Sequence, residues 1–458
     1  MTALSATPLL ADPSFLDGPA LLGESAWTWR QVHTAAIELA GRIDPGATVC
    51  NLCASRPGFI VAWLAALRRG CVQLLPPSGG HNDLVSILGS SAQPLIVVDD
   101  EALIEPHWPE HARCIVHRPT APAAGRASLA WQPDWDAASI RLYTSGSTGS
   151  PDAQDKTLAQ LAHGAVALSA RLGSELEGGL GRVQRIVSSV PPQHMFGLET
   201  SVMLSLITGI AVQDGQPLLP ADIRASLVAG EGMAAWIATP LHLRAVVQAR
   251  EALPACAFVL VSTMPLAPAL AAQAEGRASA PVLEIYGSTE TGALAMRRAA
   301  ADGAWLPFAN VRVEPGEHGT RVWGDHFTSP RVLLDDVSLD ADGGFRIAGR
   351  HSDVIKIGGR RASLAGLNLL LQDLPGLEDG VFYLPATDSP TQRLVLIYSG
   401  AALDRAAALR WLRARMDPVF LPRTMIRVDR MPRTAASKLP RSALDRIHAD
   451  WQSRGSAR

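Results

Sequence analysis

The run YTSGSTGSP, Tyr143 to Pro151, sets the fold class of this chain. An apolar strand pattern, Ile140–Tyr143, leads into it. An amphipathic helix follows, in which Leu158, Leu161, Ala162, Ala165, Leu168 and Leu172 share one face. A Ser/Thr/Gly loop between strand and helix offers clustered backbone N–H groups and hydroxyls, and Gly146 and Gly149 permit close approach. Those are the requirements of a phosphate cradle. The spacing GxxxxGK[ST] is absent, so this is not a Walker loop. The same letters also fit an ordinary Ser/Gly surface loop, so the reading depends on what lies around it.

Outward from the loop, short apolar runs alternate with helices. Leu95–Val98, Arg185–Val190, Trp236–Ala238, Phe258–Val261 and Val282–Ile285 read as buried strands of parallel sheets. Trp27–Leu39 has helical spacing, and Phe59–Leu67 reads as a buried helix leading to a strand at Cys71–Leu75. The expected class is α/β. From Val311 to Ile347 the pattern shortens and alternates, as in a small antiparallel or barrel-like piece. Beyond Gly349 it becomes a compact α+β unit, with a hairpin, helices near Ser363–Leu371 and Asp404–Met416, and strands at Gly380–Leu384 and Leu394–Tyr398.

Composition narrows the function. The 458 residues carry 41 Lys plus Arg against 43 Asp plus Glu, a balance with no nucleic-acid or membrane-surface footprint. The longest apolar stretches fall well short of the roughly 20 residues that span a bilayer. Five cysteines make no disulfide framework, the N-terminus lacks a secretory pattern, and a reducing cytoplasm is the default. Only Lys156, Lys356 and Lys438 are Lys; the other 38 basic residues are Arg. Arg replaces Lys poorly where a compact point charge is needed, so these three positions carry weight.

Three further stretches carry chemistry. EIYGSTETG, Glu284 to Gly292, opens from a strand into a hydroxyl-rich turn bearing the Glu290 carboxylate, which suits Mg²⁺ bound to phosphate; a helix N-cap is the plainer alternative. DGGFRIAGRHSDVIKIGGRR (Asp342–Arg361) and MPRTAASKLPR (Met431–Arg441) each carry one Lys, and each also fits a solvated basic turn.

In this order, together with VPPQHMFGLET (Val190–Thr200), these stretches resemble the adenylate-forming superfamily of acyl- and aryl-CoA synthetases, nonribosomal-peptide adenylation domains and luciferases. YGSTE resembles the family's Y-G-x-T-E, VPPQHMFG its P-x-x-H-x-x-G, GRHSDVIKIGG its G-R-x-D-D-x-I-K-x-x-G, and PRTAASKLPR its P-x-T-x-x-G-K-x-x-R. The resemblance spans about Trp27 to Leu444. It implies a large multi-sheet N-terminal domain, 1–351, with a β-barrel-like part at about 305–349, and a small mobile C-terminal domain, 352–458.

It also implies roles. Thr144, Ser145, Gly146, Ser147, Thr148 and Gly149 would hold the ATP phosphates. Tyr286, with Gly287 and Ser288, would sit against the nucleotide, with Thr289 near the α-phosphate and Glu290 on Mg²⁺. Asp335, with Asp336 the alternative, and Arg350 would bind the ribose. His194 would gate the path between the acid and the thiol. Lys438 would contact the carboxylate and α-phosphate during adenylation, as electrostatic catalysis. Lys356, on its hairpin, would enter the site for thioester formation.

Departures from the family pattern are equally specific. Asp152 stands where the family has Lys after the loop Pro, and Lys156 lies four residues on, at the expected start of the helix. Lys156 is read either as replacing that charge or as a salt-bridge partner of Asp152 or Asp155. Ser352 takes the usual hinge position, Leu333-Leu334-Asp335 replaces T-G-D, and Ser437 replaces the Gly before the catalytic Lys.

The implied activity is ATP-dependent conversion of an aryl or acyl carboxylic acid to acyl-AMP, followed by transfer to the phosphopantetheine thiol of CoA or an acyl carrier protein. The rival readings are a catalytically silent nucleotide-binding homologue and an acyl-AMP ligase that makes no thioester.

Overall fold

A computed structural model describes residues 15–456 except 24, 77–80, 90–93, 106–107, 109–111, 123–132, 146–150, 302, 317–318, 328, 351–353, 358–359, 386–392, 402 and 435–436. Two large sheets dominate it. The first has six strands, ordered Arg113–Val116, Pro94–Val98, Thr48–Asn51, Val72–Leu75, Ala138–Ser145 and Pro151–Thr157. All neighbours pair in parallel except the last two, which are antiparallel. The helix Arg56–Arg68 is apolar on nearly every face because it is enclosed on nearly every side. Ser55 caps its start by accepting the Gly58 N–H.

The second sheet has nine strands. Its centre is parallel, in the order Val183–Ser188, Met233–Ala238, Phe258–Val261 and Val282–Ser288. Gly292–Arg298 then returns antiparallel to Val282–Ser288. The continuous apolar runs mark strands covered on both faces.

Between the sheets lies the helix Leu158–Glu175, which opens on a capping box between Thr157 and Gln160. The six residues of its expected face are all buried. Leu158, Leu161, Ala162 and Ala165 join the core cluster of the first sheet, and Leu168 and Leu172 join that of the second. Each buried Leu contributes about 1.5–3 kcal/mol to that junction.

Two expectations change here. The phosphate-loop motif does not lead straight into a helix, because the antiparallel strand Pro151–Thr157 intervenes and Lys156 lies on it rather than at a helix start. The piece at about 305–349 forms open antiparallel sheets among the described residues, the antiparallel alternative rather than the barrel-like one. It is a three-stranded antiparallel sheet (Val311–Gly316, Gly319–Gly324, Arg331–Leu333) against a two-stranded one (Asp335–Leu339, Phe345–Arg350), packed through Val313 and Val337.

Residues 354–456 contribute their own core of Ile355, Leu367, Leu371, Phe382, Leu396 and Leu412. A hairpin (Val354–Ile357 with Arg360–Ser363) and the helix Leu364–Leu371 precede a sheet of Asp379–Tyr383, Val395–Ser399 and Thr424–Arg427. Gln372 fastens this region to the second sheet: its Nε2 donates to the Pro265 carbonyl (2.8 Å) and its Oε1 accepts the Ala267 N–H (3.1 Å). No helix among the described residues is long and apolar enough to cross a membrane.

Candidate active site

The parallel strands of the second sheet end at one edge, and two of the sequence motifs, Val190–Thr200 and Glu284–Gly292, lie along it. Val183–Ser188 runs into the segment bearing His194, Met233–Ala238 into Thr239, Phe258–Val261 into Ser262–Pro265, and Val282–Ser288 into the acidic turn. This is the edge of an open α/β sheet where loops gather to bind ligands. Thr263 stands there at φ +84°, which is strained for a β-branched residue, and its buried Oγ1 has no hydrogen-bond partner among the described residues.

Tyr286 and Asp335, 49 residues apart, meet: the phenol donates to Asp335 Oδ2 at 2.7 Å. The Tyr286 ring lies 5.4 Å from Trp305 and 5.6 Å from Phe345, centroid to centroid, which fixes its plane. Asp335 is also the register partner of Arg350. The three residues expected at the nucleoside thus share one corner, although the Arg350 side chain lies outside the described residues, and Asp336 pairs one step along at Gly349.

The acidic turn is a β-turn region between antiparallel strands, not a helix start. Ser288 and Thr291 lock it: the Ser288 N–H donates to Thr291 Oγ1 (3.1 Å), the Thr291 N–H to Ser288 Oγ (3.3 Å), and Thr291 Oγ1 to the Gly292 carbonyl (2.9 Å). Thr289 and Glu290 are half-buried between these locks. The Glu290 carboxylate makes no hydrogen bond or ion pair among the described residues, so both oxygens are available to a hard divalent cation, and the donor set fits Mg²⁺.

Lys156 points away from its expected salt bridges. Asp155 faces the other side of the strand and is bound by Arg141 at 2.6 and 2.9 Å; the Asp152 side chain lies outside the described residues. Lys156 is 3% exposed, and its Nζ donates to the Glu290 carbonyl at 2.6 Å. Burial pushes its pKa down, with the charge of Glu199 opposing. Glu199, 4% exposed, accepts the Ala293 N–H on both oxygens (3.2 Å each), and burial pushes its carboxyl up.

Lys438 is exposed at the tip of a turn built by Thr434, whose N–H donates to the Lys438 carbonyl (2.8 Å) and whose Oγ1 accepts the Lys438 N–H (3.2 Å). Ser437, the residue in place of the family Gly, sits at φ +62°, which explains why Gly suits that position. Its Oγ lies 3.4 Å from Thr239 Oγ1, so the turn rests on the strand edge described above. Arg433 fixes it from behind, with Nε and Nη2 on the Asp379 carboxylate (2.5 and 2.7 Å) and Nη1 on the Ser437 carbonyl (2.7 Å). Burial, with the Lys438 charge adding to it, pushes the His194 imidazole down to about 4. His194 is therefore neutral at physiological pH and close enough to feel Lys438. Removing that charge has a defined sign: in Lys438→Met, His194 is expected to titrate higher, read from its Cε1–H resonance, and an unchanged titration would place Lys438 away from His194.

A family model described as AMP-binding enzyme matches residues 13–322. The chain belongs to the AMP-binding enzyme family. That is the adenylate-forming superfamily its motifs resemble. Among relatives of this AMP-binding enzyme, indoleacetate–CoA ligase of Aromatoleum aromaticum is 26% identical over 337 residues, 65% of this chain and 64% of that protein, so the match spans just under two thirds of that relative. Feruloyl-CoA synthase of an Amycolatopsis species is 26% identical over 476 residues, covering 91% and 93%. The O-succinylbenzoate coenzyme A synthetase of Bacillus subtilis, solved with AMP, shares the fold at a TM-score of 0.78 and 20% identity over 93% of this chain and 95% of that one. The same synthetase has been solved with ATP and a magnesium ion.

Gly146, Ser147, Thr148 and Gly149, with Ser352, lie outside the described residues, as do the side chains of Thr144, Ser145 and Lys356. Arg433, Asp379 and the fixing role of Glu199 were not assigned from sequence. A lone carboxylate in the apolar run after His194 was the available signal, since a buried charge demands partners.

Proposed function

We propose that this AMP-binding enzyme is an acid–thiol ligase acting on an aryl carboxylic acid. The acid's carboxylate oxygen attacks the α-phosphorus of ATP, the bond to pyrophosphate breaks, and acyl-AMP forms. A phosphopantetheine thiolate then attacks the acyl carbonyl and AMP leaves. Mg²⁺, when bound at Glu290, neutralises phosphate charge. This chain's own groups do the rest: Tyr286 and Asp335 orient the nucleoside, and Lys438 lies between carboxylate and α-phosphate. His194, kept neutral, borders the acid without adding a competing charge. The observation that carries the reading is the turn bearing Lys438, which rests through Ser437 on Thr239 at the edge where the His194 segment also lies.

For the second step, residues 352–458 rotate, withdrawing Lys438 and bringing in the Lys356 hairpin. The aryl preference rests on the likeness to the indoleacetate and feruloyl enzymes. The thiol belongs to CoA or to a carrier protein, and the reaction is cytoplasmic. An acid-dependent pyrophosphate-exchange screen, with mass spectrometry of the products, tests this. Exchange with aryl acids and a thioester product are expected. Exchange with amino acids alone would reject the acid class, acyl-AMP without thioester would favour an AMP ligase, and ATP binding without exchange would favour a silent homologue.

A further inference from the structure

The underside of the Ser288–Ala293 turn holds two charges that the proposed chemistry does not use. Lys156 comes from the strand that leaves the phosphate-loop motif and grips the turn at the Glu290 carbonyl, 134 residues away in sequence. Glu199 comes from the His194 side and grips the same turn three residues later, at the Ala293 N–H. Glu199 lies on a single π-helical turn, Leu198–Met203, directly after the short helix Met195–Gly197 that His194 opens; π-turns gather at functional sites. Gly292, at φ +73°, completes the fit: a Cβ there would lie 2.5 Å from Glu199 Oε1.

Neither charge has a salt-bridge partner within 4 Å among the described residues. Each is spent on a backbone group, as a charge-assisted hydrogen bond. Burying an ammonium and a carboxylate costs several kcal/mol that packed apolar side chains would not incur. The chain also keeps Lys here while using Arg at nearly every other basic position.

We propose that Lys156 and Glu199 are positioning residues that clamp the acidic turn between the phosphate-loop strand and the His194 segment. Lys156 thereby acts on ATP through Glu290 and its divalent cation, not by touching phosphate. This rests on the reading of Glu290 as the cation ligand, but not on any acid substrate.

The test is equilibrium binding of an ATP analogue with a methylene between its α- and β-phosphates, measured by calorimetry with Mg²⁺ and with EDTA. It uses the full chain and Lys156→Met, Glu199→Gln and the double variant, each with a thermal unfolding curve. Lys156→Met is expected to lose about 10-fold or more of the Mg²⁺-dependent gain in affinity, while its metal-free affinity stays within about twofold. The double variant, which leaves no buried charge unpaired, is expected to fold with the same metal defect. Equal losses with and without Mg²⁺ would place Lys156 on the phosphates and overturn the proposal. An undiminished Mg²⁺ gain would overturn it too, as would failure of all three variants to fold. Absence of acid-dependent exchange would reject the ligase reading and leave this result standing.

Discussion

Replacing Lys438 by Ala is expected to lower acid-dependent pyrophosphate exchange about 10²–10³-fold, the size seen when one preorganised donor to a developing charge is removed. The cause is local. Lys438 is the cation held by the 434–438 turn against Thr239 and within electrostatic reach of His194. In the proposed reaction two anions, carboxylate and α-phosphate, approach each other there, and without the ammonium their repulsion would be uncompensated. Lys438→Arg is expected to fail nearly as badly, because a planar fork does not present one compact charge between two oxygens. Thioester formation from supplied acyl-AMP is expected to survive in both variants. A variant that loses both half-reactions equally would show that the turn is needed for more than adenylation.

Arg433→Ala is expected to cost adenylation about 10- to 100-fold while leaving His194, Glu290 and Tyr286 in place, because a misplacement near 1 Å is enough for such a loss. Arg433 binds Asp379 through two nitrogens and the Ser437 carbonyl through a third, tying the strand Asp379–Tyr383 to the residue before Lys438. Both partners of this pair are under one-fifth exposed, so it is screened less than a surface bridge. Arg433→Lys is expected to rescue little, since an ammonium does not serve a bidentate carboxylate and a carbonyl together. The measurement is the kcat of pyrophosphate exchange, with the unfolding midpoint as control. A midpoint that collapses along with kcat would mean that Arg433 supports the fold rather than the turn.

The parallel strands were legible because strands covered on both faces must be apolar throughout, as in Phe258–Val261. The helix Leu158–Glu175 was legible from one apolar face at helical spacing. The strand Pro151–Thr157 was not. It is an edge strand, PDAQDKT, and an edge is kept polar so that it does not pair further. Missing it moved Lys156 to a helix start and offered it Asp155 as a partner. On a strand the two point to opposite faces, and the real partner is a backbone carbonyl that no local pattern could reveal. The same limit hid Arg433–Asp379. Tyr286 and Asp335 were named only through motif likeness, and their 2.7 Å bond is a product of the fold. Among the described residues the sheets at 311–350 are open, so short alternating strands with tight turns do not establish closure.

The most direct measurement of the central claim is a quenched single turnover with enzyme, Mg²⁺, α-labelled ATP and an aryl acid, with no thiol present. The account predicts label in acyl-AMP, with pyrophosphate as the only other phosphate product and no adenylate in Lys438→Ala. Label in ADP, or acyl-AMP formed equally well without Lys438, would contradict it.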